Sequence, residues 1–184
     1  MRGTILWVAV ALAALAGSSP PVVAAEVQNA EAPFANSAAA EAYLTATVPE
    51  AVAANPKYRA KVTGALTRWT IKAIAFLKTS DDGVEVSTDE AFDEYKSGKM
   101  IPGTHRARFS IDDVTVQNEV SDSDTTESGA PALGVIFRCK GAPCIHANWN
   151  GEESMSAWTD IYINDANTLE RVLAAFQALK TPGQ

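Results

Sequence analysis

Thr104-His105-Arg106-Ala107-Arg108-Phe109-Ser110-Ile111 alternates strictly, with His105, Ala107, Phe109 and Ile111 on one parity and Thr104, Arg106, Arg108 and Ser110 on the other. A period of two predicts a strand with one buried face. The phase slips at Asp112-Asp113, because Val114 and Val116 continue on the opposite parity, so a bulge or tight bend is expected there. Asn118 to Pro131 then reads as a polar acidic loop.

Leu133 to Phe137 is a continuous apolar run, a buried strand on composition. Cys139 and Cys144 bracket the turn Lys140-Gly141-Ala142-Pro143, and Ile145 to Trp149 can run back as the partner of the preceding strand. Asn150-Gly151 turns the chain again, and Ala157 to Ile163 forms a last strand, with Ile161 and Ile163 facing one way and Trp158 and Tyr162 the other. The final element is a helix. Asn167 with Glu170 reads as its capping box, and Leu169, Val172, Leu173, Phe176 and Leu179 form its apolar stripe before Thr181-Pro182-Gly183 stops it.

Upstream of the quoted strand, alternation begins at Leu66. Trp69, Ile71, Ala73, Ala75 and Leu77 share one face and Arg68, Thr70 and Lys72 the other; apolar Ile74 and Phe76 predict that the second half is covered on both sides. Ser80-Asp81-Asp82-Gly83 is a turn signal, with Val84 to Ser87 as a hairpin partner. Ala91 to Tyr95 fits either a short helix after a Thr88 cap or a strand, bracketed by the breakers Ser97-Gly98 and Pro102-Gly103. An earlier helix starts near Ala38, capped by Asn36 or Ser37, with Tyr43, Leu44 and Val48 on its apolar side; Pro49 is expected to end or kink it. The order helix, five to seven strands, helix predicts an α+β domain. Its expected form is a curved antiparallel β-sandwich or partly open barrel, capped by the C-terminal helix and preceded by a short N-terminal helix.

Residues 1–25 have the features of a secretory signal peptide: Arg2, an apolar stretch from Ile5 to Ala16, and Val23-Ala24-Ala25 before Glu26. The apolar stretch is shorter than the roughly 20 residues that span a bilayer. Removing 25 of the 184 residues leaves 159, organised as a flexible lead-in (26–37), an N-terminal helical segment (38–63) and a β-sheet domain with its capping helix (64–181). A soluble periplasmic or secreted protein without a transmembrane segment is the expectation. The whole chain carries 15 Lys and Arg against 22 Asp and Glu, a net charge of -7, with no basic run. Nucleic acid is therefore not an expected partner.

In an oxidising compartment Cys139 and Cys144 read as a disulfide. Opposed hairpin residues about 4.5–5.5 Å apart at Cα suit that bond. A zinc set of Cys139, Cys144 and His146, with or without His105, matches no established spacing, so no metal or cofactor is expected. Asp122-x-Asp124-x-Thr126 resembles the start of a calcium loop, but Glu127 stands where Gly is required and the closing acid is missing. His105 and His146 are the two histidines; His105 could act with Asp112, Asp113 or Asp160 in a small hydrolase-like enzyme. Trp149 and Trp158 flank Asn150-Gly151-Glu152-Glu153 and could rim a binding site. With no nucleophile elbow, phosphate loop or dinucleotide fingerprint, the residues favour a non-enzymatic binding or interaction module for a protein or small-molecule partner. Its candidate contacts are His105, His146, Trp149 and Trp158.

Three segments also form a pattern: Phe109-x-Ile111-x-Asp113-Val114; the strand ending at Cys139 with Cys144-Ile145 after a short turn; and Asp165 leading into Thr168-Leu169-Glu170-Arg171-Val172-x-x-Ala175-x-x-x-Leu179. It resembles small exported bacterial proteins with a pleckstrin-homology-like arrangement, over residues 64–180. The resemblance implies a curved antiparallel sandwich closed by a C-terminal helix. It carries over no catalytic residue, and without a basic cluster it does not extend to phosphoinositide binding.

Overall fold

The computed structural model describes residues 34–60, 66–80, 83–96 and 98–180. The leader at 1–25, most of the lead-in, Asp81-Asp82, Ser97 and the stop at Thr181-Pro182-Gly183 lie outside the described residues.

The chain is α+β. Among the described residues, helix α1 (Ser37–Ala54) precedes nine strands, β1 (Tyr58–Ala60), β2 (Leu66–Lys78), β3 (Val84–Lys96), β4 (Lys99–Ser110), β5 (Val114–Thr125), β6 (Pro131–Cys139), β7 (Ile145–Trp149), β8 (Glu152–Ser156) and β9 (Trp158–Tyr162), and helix α2 (Ala166–Ala178) follows. Every ladder is antiparallel, in the order β8-β7-β4-β3-β2-β1-β5-β6-β9.

Two short connections give this sheet its curvature. Residues 140–144 carry the chain from β6, next to one edge, to β7, next to the other. Ala157 alone then links the edge strands β8 and β9, and its carbonyl accepts from the Cys139 amide at 2.9 Å. Such links are possible only if the sheet rolls until its edges adjoin. The result is a partly open barrel without a closing ladder. The predicted hairpin of Ile145–Trp149 on the Leu133–Phe137 strand is thereby corrected: β6 pairs with β5 and β9, whereas β7 pairs with β4 and β8. The Cys139–Cys144 disulfide, with Cα atoms 5.8 Å apart, closes the crossing rather than a hairpin.

The quoted strand folds as its alternation predicts, with Gly103, His105, Ala107 and Phe109 buried between exposed neighbours. The expected bend at Asp112-Asp113 is a single 3-10 turn, Ile111–Asp113, which brings Val114 and Val116 inside. Pro102-Gly103 does not break β4. The ring of Phe92 on β3 lies where a Cβ of residue 103 would project, so glycine is needed for this cross-strand packing. Ala91–Tyr95 is strand, as the continuation of β3 requires.

Strand β2 departs from the expected face pattern. The register against β3 shifts between Ile71 and Ala73, leaving Lys72 as an extra residue. One added residue exchanges the two faces, so Ile74 is buried while Ala73, Ala75 and Leu77 are exposed. The expected acidic loop at Asn118–Pro131 is also mostly strand: β5 continues to Thr125, pairs with β6, bulges between Val120 and Thr125, and meets β1 through Thr125 and Asp124.

Helix α1 runs through Pro49 without ending, because Ala40, Leu44, Val48 and Val52 form one buried stripe that the core holds in place. Its N-cap is Asn36, which accepts from the Ala39 amide. The segment expected to be helical to residue 63 leaves the helix at Ala54 and contains β1. In α2 the cap is Asp165, not Asn167: its side chain accepts from the Thr168 amide at 2.8 Å, and hydrogen bonds from the Thr168 side chain and then its amide hold the carboxyl below its usual range. Leu169, Val172, Ala175 and Phe176 are its buried stripe. The two helices pack on each other, α1 against β2 and α2 against β5 and β6, around a core that includes Phe109, Phe137, Ile71 and Ile161. No helix among the described residues is long and apolar enough to cross a membrane.

Candidate functional site

Cross-strand register assembles the opposite end. Glu90 on β3 is opposite His105 on β4, which is opposite Trp149 on β7. All three sit on the inward parity of their strands, so alternation alone lines them up. One step toward the helices the row is Thr88–Ala107–Ala147, and beyond it Val86 faces Phe109.

Glu90 and His105 are both buried, with carboxylate Oε2 3.1 Å from imidazole Nδ1. Trp149 stacks on His105 with ring centres 4.0 Å apart and planes at 30°. Trp69 from β2 and Trp149 meet at 5.5 Å with planes at 87°, and Phe92 packs on Trp69 at 4.7 Å. The turn after Trp149 is held as well. Asn150 (φ 53°) and Gly151 (φ 94°) form the tight turn into β8, and Asn150 exchanges hydrogen bonds with Thr104 through its amide (3.0 Å) and side-chain oxygen (2.8 Å). Asn and Gly are the residues that tolerate these left-handed angles.

A second polar group approaches from β1, β5 and β9. The buried Lys57 ammonium donates to Asp160 Oδ1 at 2.8 Å, lies 3.7 Å from Asp124, and sits 4.1 Å from the Tyr162 ring centre and 5.0 Å from that of Trp69. Acids and ring faces together offset the cost of burying a cation. The Tyr162 hydroxyl is pushed far above its ordinary range, first by burial and then by the Asp160 charge. Asp124 is placed by the β5 bulge, where Ser121 Oγ accepts from its amide at 2.9 Å.

Between these groups lies a cavity of about 310 Å³, lined among others by Lys57, Trp69, Glu90, His105, Trp149, Trp158 and Asp160. Trp149 and Trp158 stand at its rim, 41% and 46% exposed, with exposed Met155 between them in sequence.

Of the four residues predicted to bind, His105, Trp149 and Trp158 therefore converge on one cavity. His146 does not: it is exposed on the outer face of β7, on the parity opposite Trp149. Neither Asp112 nor Asp113 reaches His105, whose carboxylate partner is Glu90; Asp160 lines the same cavity but is bonded to Lys57. Glu90, Lys57 and Trp69 were not among the predicted site residues. Glu90 was detectable, since Val84, Val86, Thr88 and Glu90 share one parity; an acid continuing an inward row is a buried acid. Lys57 had no local signal, because its partners come from 67 and 103 residues away.

Comparison with known protein families, curated proteins and solved structures finds no match.

Proposed function

We propose that this chain is a non-enzymatic binding module, exported to the periplasm or the medium, that holds a small ligand in the cavity between β4, β7 and β9. The observation carrying this reading is the mouth of the cavity. Two large aromatic side chains remain partly exposed there, above a buried floor of paired polar groups. Concave sites with aromatic walls and a few fixed polar groups are where proteins bind small ligands. The disulfide and the leader-like first 25 residues support the compartment.

A chemically mixed small-molecule library, screened by tryptophan emission and thermal shift, tests the reading. A ligand that stabilises the protein and loses its effect in Trp149→Ala supports it. No ligand of any class acting through Trp149 or Trp158 would overturn it. The His105–Glu90 pair favours a second reading, a hydrolase-like enzyme in which Glu90 orients His105 as a base. Turnover of an ester or glycoside, abolished by His105→Ala in a folded protein, would establish that alternative instead.

A further inference from the structure

Resting on the binding reading, the geometry points to a neutral sugar ring as the ligand, either free or as the end unit of a glycan.

The charges come first. Lys57 is engaged by Asp160 at 2.8 Å, and Glu90 faces His105 at 3.1 Å. Each ionisable group lining the cavity faces a partner, and Asp124 behind Lys57 adds a further acid. An organic cation would find the aromatic–acid cage of Trp69, Tyr162 and Asp160 filled by the protein's own ammonium. A carboxylate or phosphate would have to approach Glu90 and Asp160. The acids disfavour an anion, and the one cation position is already filled by Lys57.

The remaining hydrogen-bonding capacity is mixed. A carboxylate has about four acceptor positions and an ammonium three donors; with Lys57 turned to both Asp160 and Asp124, the carboxylates keep spare acceptor positions while few ammonium donors remain. The Trp69 indole N–H is buried without a hydrogen-bond partner. Donors and acceptors interleaved over a few ångströms suit hydroxyl groups, each of which donates and accepts. A ligand with only one kind of polar group would leave the other kind unsatisfied, at a penalty.

The walls are apolar and flat. Trp149 stacks on His105, meets Trp69 at a near-perpendicular angle and Phe92 at 6.0 Å, and Asn150 ties the following turn to β4. A ring held this way presents its other surface without further ordering, which is preorganisation. Trp158, also lining the cavity and partly exposed, offers a second aromatic surface. A pyranose has an apolar C–H face with hydroxyls around its rim, and so matches a flat indole beside a polar floor. At about 310 Å³ the cavity is at the small end of ligand sites, sized for one ring with any further units leaving through the mouth.

The test uses the whole chain, with tryptophan emission and calorimetry against glucose, galactose, N-acetylglucosamine, and the β-1,4-linked disaccharides of glucose and of N-acetylglucosamine. Choline and glutamate serve as charged comparators. Saturable binding of a neutral saccharide is expected, weakened about tenfold or more by Trp149→Ala and less by Trp149→Phe. His146→Ala, on the outer face, should leave it unchanged. A disaccharide bound much more tightly than its monosaccharide identifies a glycan end; equal affinities identify a free sugar. If Trp149→Ala fails to fold, Trp149→Phe and Trp158→Ala carry the comparison. Choline or glutamate binding through Trp149 with no saccharide bound overturns the sugar assignment and leaves the binding reading standing. Saccharide binding indifferent to both Trp149 and Trp158 overturns the assignment to this cavity. Failure of every probe here and in the mixed library overturns both readings.

Discussion

The inward face of the sheet is one surface with two ends, and they solve the same packing problem differently. On β3 it runs Val84, Val86, Thr88, Glu90; on β4, read back from the 3-10 turn, Ile111, Phe109, Ala107, His105; on β7, Ile145, Ala147, Trp149. Each series starts apolar, passes a small or hydroxyl-bearing residue and finishes in a residue with a charge, an imidazole or an indole. Because the registers align these positions, the change happens at the same level on all three strands. At the helix end branched and aromatic side chains interdigitate with α1 and α2 and fill the space. At the far end Lys57, Glu90 and His105 must keep polar atoms in contact with one another, and rigid rings replace adaptable aliphatic chains. Polar pairing satisfies the burial requirement but does not fill volume, so the same alternation yields a core at one end and a cavity at the other.

The largest effect that separates the ends is expected at Phe137. Its ring is fully buried between Phe109 and Phe176, both 4.9 Å away between centres. Phe137→Ala should cost about 3–5 kcal/mol in urea denaturation. A loss of under about 1 kcal/mol would mean that the helix end is no better packed than the cavity end, and the contrast would fail. The disulfide comes next. Its ring is short, so reduction, or replacement of both cysteines by serine, should lower stability by about 2 kcal/mol. Its position adds a local expectation. The crossing it closes bonds to Ala157 between Ser156 and Trp158, both of which line the cavity. Reduction should therefore alter ligand affinity at temperatures where the protein stays folded, whereas Phe137→Ala should alter stability with little change in affinity. The reverse pattern would break the comparison.

How much of this was legible in the sequence follows the same division. The apolar end was readable because its signals are local: the alternation around Phe109, the run at Leu133–Phe137 and the α2 stripe all proved structural. Departures arose where tertiary contacts override local rules. The core stripe carries α1 past Pro49, the ring of Phe92 turns Pro102-Gly103 from a breaker into strand, and one bulged residue at Lys72 reverses the faces of β2. In the cavity, His105, Trp149 and Trp158 could be nominated from parity and turn chemistry. Their partners could not, since Lys57 meets Asp124 and Asp160 only after the sheet has rolled up. The Asn118–Pro131 stretch shows the same limit: its polar composition suggested a loop, yet it supplies the strand that places Asp124.

The smallest expected effect tests the polar end by titration. Burial and the Asp160 charge both raise the pKa of the Tyr162 hydroxyl, so the folded protein holds that proton more tightly than the unfolded chain, where tyrosine titrates near 10. With the folded value raised, the contribution is fully present below about pH 10 and is lost as pH rises from there toward the folded value. Unfolding free energies measured by urea between about pH 9 and 11 should fall more steeply for the wild type than for Tyr162→Phe, which has no proton to lose. Equal slopes would place the hydroxyl in a water-like setting and remove one wall of the Lys57 cage from the argument. The Phe137→Ala loss should be the same at both ends of that range. Phe137 packs on Phe109 and Phe176 whereas Tyr162 meets Glu119 and Lys57, and effects at sites without common partners add. Dependence on pH would thus mark the polar end and independence the apolar one, within a single continuous face.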